Sequence, residues 1–217
     1  MLGVLSVFLL TYGVSGYTPL KQTPPLKIAV LVEPTPFNYI SGYANRFKEM
    51  LRFLHQAGDD VHILTADKSD TPPDKFLSFP IHSNHGFSFP WYRAVTLSLD
   101  LAGNTQRICQ RLKPDIIHVA TPGCLVFAAI AASRSFGIPL VMSYHTHVPA
   151  YTQSYFNFVP GSQQIAYQVV YNSLKMADLV LATSPQLKEA LQELGLDKVD
   201  VWQKGINAEV SRPYLSP

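Results

Sequence analysis

Charge is scarce in this sequence. Only 15% of its 217 residues are Asp, Glu, Lys or Arg, and 17 basic against 15 acidic residues leave a net charge of +2. No Lys/Arg run and no basic helix stands out, so no nucleic-acid partner is expected. Cysteine is nearly missing as well. Cys109 and Cys124 are the only two, too far apart for a Cys-x-x-Cys pair and without zinc-ligand spacing nearby. Both lie in apolar stretches, which predicts buried thiols. No Gly-x-Gly-x-x-Gly fingerprint occurs, which removes the usual dinucleotide loop. Neither Gly-x-Ser-x-Gly nor a pair of carboxylates accompanies the histidines described below, which argues against a hydrolase.

What is there is apolar. At 47% hydrophobic residues, the chain can bury a sizeable core, as one large domain or two small ones. No charge precedes Lys21, and Leu2–Val14 is an apolar segment too short to span a bilayer comfortably. Its length matches a signal-peptide core, and Val14-Ser15-Gly16 offers the small residues of a cleavage site, but the basic region ahead of it is missing. The readings are a targeting or membrane segment on one side, and a misassigned start or an extra apolar N-terminal segment on the other. Thr18–Leu26 is a proline-marked linker, so residues 1–26 stand apart from a domain at 27–217.

From Lys27 onward strands and helices alternate. Lys27–Val32 is a continuous apolar run, hence a strand buried on both faces. Tyr43, Phe47, Met50, Leu51 and Leu54 follow at helical spacing, with Arg46, Lys48, Glu49 and Arg52 assigned to other faces. Gly58 marks the helix end, and Val61–Leu64 is the next strand. Ser41-Gly42 at the helix start could let a phosphate approach backbone N–H groups, or could be a simple cap with a flexible glycine. Ala66–Pro80 reads as a polar surface connection. His82–Tyr92 carries Phe87, Phe89, Trp91 and Tyr92, either plugging the core edge or forming an apolar surface for lipid or membrane. A helix is expected from about Val95 to Lys113, a strand at Pro114–Val119, a helix at Val126–Phe136, and strands at Asp178–Ala182 and Val199–Trp202. The sum is an α/β protein, a parallel sheet with helices on both faces.

One stretch departs from the pattern. Leu140-Val141-Met142 reads as a buried strand but ends in Tyr144-His145-Thr146-His147, with Pro149 stopping any regular continuation. In an open parallel sheet ligands sit outside the carboxyl ends of the strands, so this cluster is placed to meet a substrate. Surface histidines, or a satisfied buried pair, form the competing reading. Tyr151, Tyr155 and Phe156 extend the uncharged aromatic segment that follows.

Taken together, VEPTPFNYISGYANRF, KPDIIHVATPG, VMSYHTHVP, ADLVLATSP and WQKGIN resemble the N-terminal half of family 4 glycosyltransferases, and more narrowly the sulfoquinovosyltransferases. The resemblance covers about Leu26 to Pro213. It implies a GT-B fold, two Rossmann-like domains facing across a cleft, the N-terminal one on the acceptor side. The implied reaction is retaining transfer of sulfoquinovose from UDP-sulfoquinovose to diacylglycerol, at a plastid membrane surface, with no metal or other cofactor. It also implies that His145 meets the donor sugar, that Thr146 follows as in the family motif, and that Gly42, preceded by Ser41 where many relatives have a second glycine, lies near the donor diphosphate. Phe87, Phe89, Trp91, Tyr92, Tyr151, Tyr155 and Phe156 are the candidate acceptor- or lipid-facing residues. A donor-binding domain would begin soon after Asn207 and is absent from the sequence. A non-catalytic lipid- or partner-binding module derived from such an enzyme is the alternative.

Overall fold

A computed structural model of the chain describes residues 24–38, 41–69, 71–89, 92–145 and 161–202. The apolar segment at the chain start therefore lies outside the described residues, as do Trp91, Thr146, His147, Tyr151, Tyr155 and Phe156.

The frame is an eight-stranded sheet. Strand β1 (Lys27–Val32) leads through helix α1 (Gly42–Ala57) to β2 (Asp60–Asp67). Beyond β2 come β3 (Lys75–Phe76), β4 (Phe79–His85), β5 (Phe87–Phe89) and β6 (Tyr92–Leu97). Helix α2 (Asn104–Leu112), β7 (Ile116–Thr121), α3 (Leu125–Phe136) and β8 (Leu140–Tyr144) follow. The remaining elements are α4 (Ser162–Leu174), β9 (Leu179–Ala182), α5 (Pro185–Glu193) and β10 (Val199–Val201). The sheet order is β10-β9-β8-β7-β1-β2-β4-β3. All neighbours in it run parallel except β3, which pairs antiparallel with β4. The chain grows outward from β1 to β2 and β4, then returns to the other side of β1 at β7. That reversal is a topological switch point, where doubly wound sheets bind ligands.

Strand alternation divides the core. Ala29 and Leu31 face a cluster that holds Ile108, Leu112, Leu125, Ala129, Leu174 and Leu191. Ile28, Val30 and Val32 face the other way, against Phe47, Met50, Leu51 and Leu54 of α1. Successive strand residues point to opposite faces, so both sides of β1 can be buried at once.

The α1 boundaries are local chemistry. The Ser41 hydroxyl accepts the Ala44 N–H at 3.0 Å, and Gly58 ends the helix at φ +87°, a conformation that glycine adopts without a Cβ clash. Ser184 with Pro185 opens α5 in the same way.

Two expectations fail between β2 and β7. The segment taken as a surface connection reaches into strands, because Phe79 and Ile81 bury inward and β4 pairs in parallel with β2 from Ile63↔Ile81 to Asp67↔His85. The expected long helix from Val95 is shorter and starts later. Val95–Leu97 belong to β6, which forms a hairpin with β5, and α2 begins only at Asn104, where the Asp100 carboxylate accepts the N–H groups of Asn104 and Thr105 at 2.9 and 2.8 Å. Cys109 is buried as expected, whereas Cys124 is only half-buried. Among the described residues no helix is long and apolar enough to cross a membrane.

Candidate functional site

The carboxyl ends of β1, β7, β8 and β10 converge on one group of side chains. Register explains why. On β7, Ile116 and Ala120 belong to the α1 side of the sheet, so His118 between them faces that side too. On β8, Val141 faces α1 while Leu140, Met142 and Tyr144 face away, which sends Ser143 and then His145 toward α1. His118 and Ser143 are fully buried.

Ser143 links the two histidines. Its Oγ lies 2.9 Å from His118 Nε2 and 2.9 Å from His145 Nε2. The His145 main chain is fixed separately by its N–H, which donates to Thr121 O at 3.0 Å. Aromatic rings close around its imidazole: Tyr43 edge-on at 5.1 Å, Phe47 at 5.1 Å and Trp202 at 5.4 Å between centroids. The residue keeps some surface, yet its ring is enclosed. Burial holds the His145 imidazole well below its ordinary pKa, with the Arg46 charge and His118 adding to the effect. Burial alone pulls His118 down to about 3. Both rings are therefore neutral near pH 7, suited to hydrogen bonding rather than to carrying charge.

The positive charge belongs to Arg46. Its guanidinium lies over the Trp202 ring, 5.3 Å from the centroid, an arrangement that favours a cation against an indole face. The sequence places Arg46 on a face of α1 other than the apolar one, and the structure shows that this face meets Trp202. Arg46 is three residues after Tyr43 and four before Met50, so it flanks the apolar stripe and reaches the Trp202 ring. That position beside the stripe was the available signal.

A second feature that sequence reading missed is Glu33, at the end of β1. Its carboxylate accepts the Ser98 N–H at 2.8 Å and the Leu125 N–H at 2.5 Å, tying the exit of β6 and the start of α3 to β1. An acid at a helix N-terminus is favoured by the dipole. Burial nevertheless pushes Glu33 up to about 7, opposed by the N–H bonds from Leu125, Ser98 and Cys124. Because it spans loops far apart in sequence, Glu33 reads as a clasp behind the site.

The sequence-named residues fare unevenly. His145 is at the centre of the group. Ser41 uses its oxygen to cap α1. Gly42 is the first residue of α1, and among the described residues a Cβ built there meets nothing within 4 Å. Phe87 is exposed at 38%. Phe89 and Tyr92 pair across the β5–β6 hairpin.

Comparisons with known proteins show the family. Residues 40–210 match Glycosyltransferase Family 4. The sulfoquinovosyl transferase of Arabidopsis thaliana is 35% identical over 199 residues, 90% of this chain and 38% of that protein. A GDP-mannose-dependent alpha-mannosyltransferase of Mycobacterium tuberculosis is 26% identical over 194 residues, 87% of this chain and 50% of that protein. The chain thus spans half or less of the length of these two relatives. Among solved structures, the UDP-GlcNAc 2-epimerase of Methanocaldococcus jannaschii superposes with a TM-score of 0.52 at 14% identity, over 82% of this chain and 45% of that one; at that identity the likeness is one of fold. The chain belongs to glycosyltransferase family 4, with the Rossmann-like sheet of the N-terminal domain of a GT-B enzyme.

Proposed function

We propose that this chain forms the acceptor-side half of a sulfolipid-forming enzyme, which transfers sulfoquinovose from UDP-sulfoquinovose to diacylglycerol with retention of configuration. The observation that carries the reading is the 35% identity to a sulfoquinovosyl transferase across 90% of the chain, with His145 at the carboxyl end of β8. In the proposed step the bond from the sugar's anomeric carbon to the diphosphate breaks. The free hydroxyl of diacylglycerol bonds to that carbon from the same face, and its proton leaves with UDP. Neutral His145 hydrogen-bonds the donor sugar, Thr146 lies beside it, and the open start of α1 at Ser41-Gly42 admits the diphosphate. The reading calls for no metal. Phe87, Phe89, Trp91, Tyr92, Tyr151, Tyr155 and Phe156 would face the lipid, at a plastid membrane. Most of the donor's contacts, those to its nucleoside above all, come from a second domain, so residues 27–217 alone would be inactive.

The test joins this chain to the donor-binding half of the Arabidopsis enzyme and to that of the mycobacterial one. Each joined protein is offered its half's own sugar nucleotide, with diacylglycerol as acceptor. Sulfolipid from the first, with no product from the second, is the expected result. Mannolipid from the second without sulfolipid from the first would overturn the sulfoquinovose assignment. No lipid product from either would favour a non-catalytic binding module.

A further inference from the structure

We infer that Arg46 is the oxyanion-binding residue of this site, donating from its guanidinium to a negatively charged oxygen of the donor, either a sulfonate on the sugar or the diphosphate. The inference rests on the glycosyltransferase reading above and says which side chain recognises the donor's charge.

Four observations meet at this residue. Arg46 Nη1 is buried and has no hydrogen-bond partner among the described residues, which is unusual for a group with five N–H donors in a fixed fork. Among the described residues the ion pairs are Arg52–Glu49 and Lys188–Asp200, so no carboxylate there compensates Arg46. The guanidinium nonetheless sits over Trp202, which itself packs against Phe47 and His145 at 5.6 and 5.4 Å. And the site around it is neutral, because both histidines are uncharged there. Burial lowers the Arg46 pKa from its usual value, but arginine stays protonated at any pH where the fold survives.

A half-buried cation whose Nη1 is buried and unused is costly unless something anionic completes it. Geometry says where that anion would sit. Arg46 follows Gly42 by one helical turn, so both lie on the same side of α1, and among the described residues the space beside Gly42 is open. Incoming charge there would meet the guanidinium fork and the positive end of the α1 dipole together. Planar, directional donors suit oxygens fixed on sulfur or phosphorus better than the hydroxyls of a neutral sugar.

The experiment uses the 217-residue chain. Wild type, Arg46→Leu and Arg46→Lys are titrated with UDP-sulfoquinovose, UDP-glucose, GDP-mannose, inorganic pyrophosphate and methanesulfonate. The readouts are the Trp202 indole and Arg46 Nε–Hε resonances, with melting curves as a folding control. Arg46→Leu should weaken binding at least tenfold, and Arg46→Lys should recover part of it, because charge is kept and the fork is lost. If the oxyanion is the sulfonate, the loss appears with UDP-sulfoquinovose and methanesulfonate and the preference over UDP-glucose collapses. If it is the diphosphate, pyrophosphate and all three nucleotides weaken in parallel. Arg46-dependent binding of GDP-mannose but not of UDP-sulfoquinovose would sink the sulfolipid reading and leave the Arg46 assignment standing. Equal affinities in folded wild type and Arg46→Leu, or no saturable shift with any probe, would overturn the assignment. Should Arg46→Leu not fold, the comparison of wild type with Arg46→Lys decides it, equal affinities counting against the proposal.

Discussion

His118 and His145 share the Ser143 hydroxyl, each at 2.9 Å, and a hydroxyl has one proton to give. If Oγ donates to one Nε2, it accepts an N–H from the other, so the tautomer of one ring constrains that of its neighbour. Burial sets the pH response of this cluster. An unfolded chain takes up protons near pH 6.5 that the folded His118 and His145 refuse, so their stabilising contribution is lost as pH falls below about 6.5. Glu33 works the other way. Its folded form holds a proton up to about 7 that the unfolded chain releases near 4.5, so stability falls as pH rises through that window. Two histidines of the cluster oppose one carboxyl between pH 4.5 and 6.5. Burial also lowers His82 and raises Asp59, which act in opposite senses, and the melting temperature should climb across that range. His118→Gln should flatten the climb. A melting temperature that falls from pH 4.5 to 6.5 would show that the carboxyl dominates.

Gly123 shows how close Glu33 is packed. A Cβ there would stand 2.6 Å from Glu33 Oε1 and 2.9 Å from its Cγ, inside contact distance, and the carboxylate cannot retreat without giving up the Ser98 and Leu125 N–H groups. Gly123→Ala should therefore cost about 1–3 kcal/mol, read as a lower urea midpoint at constant slope. An unchanged midpoint would mean that the clasp is loose.

At the scale of elements, one device recurs along the amino edge of the sheet. Asp59 accepts the Leu26 N–H, Asp115 the Lys27 N–H and Asp178 the Leu140 N–H, at 2.8–2.9 Å. The backbone N–H of Asp115 and of Asp178 returns a bond to the carbonyl of the same partner, each at 2.8 Å. These reciprocal pairs pin the starts of neighbouring strands. Since β8 places His145, Asp178→Ala should loosen the site as well as the sheet, at about 1–2 kcal/mol for a lost charged acceptor. Amide exchange at Leu140 and Val141 should quicken; protection equal to wild type would argue that strand packing alone sets the register.

What was legible in the sequence follows the range of the interactions. Caps at Ser41 and Gly58 depend on a few adjacent residues, and the buried runs of β1, β7, β8 and β9 read directly as strands. Strand β4 was missed because His82 and Asn84 interrupt its apolar residues, although Phe79 and Ile81 bury inward. The start of α2 was misplaced because Asp100, not a periodic apolar residue, opens it. His145 was found because its strand ends there. Arg46, Trp202, His118 and Glu33 were not, since their roles rest on contacts across the sheet that no local pattern records.

For the molecule as a whole, the strand order places the switch point between β1 and β7. The residues gathered beside it supply a neutral hydrogen-bonding histidine, a cation set over an indole ring and a helix start left open by the described residues. Family membership is shown, and the reaction with its sugar and acceptor is the proposal built on it. The most direct measurement is steady-state transfer of sulfoquinovose to diacylglycerol by this chain joined to the donor-binding half of the Arabidopsis enzyme, with His145 intact and as His145→Ala. A contact made mainly in the transition state lowers kcat more than it raises KM. The account predicts sulfolipid from the first protein and a fall in kcat on the order of a hundredfold or more in the second, with folding preserved. Equal turnover by the two folded proteins would contradict it.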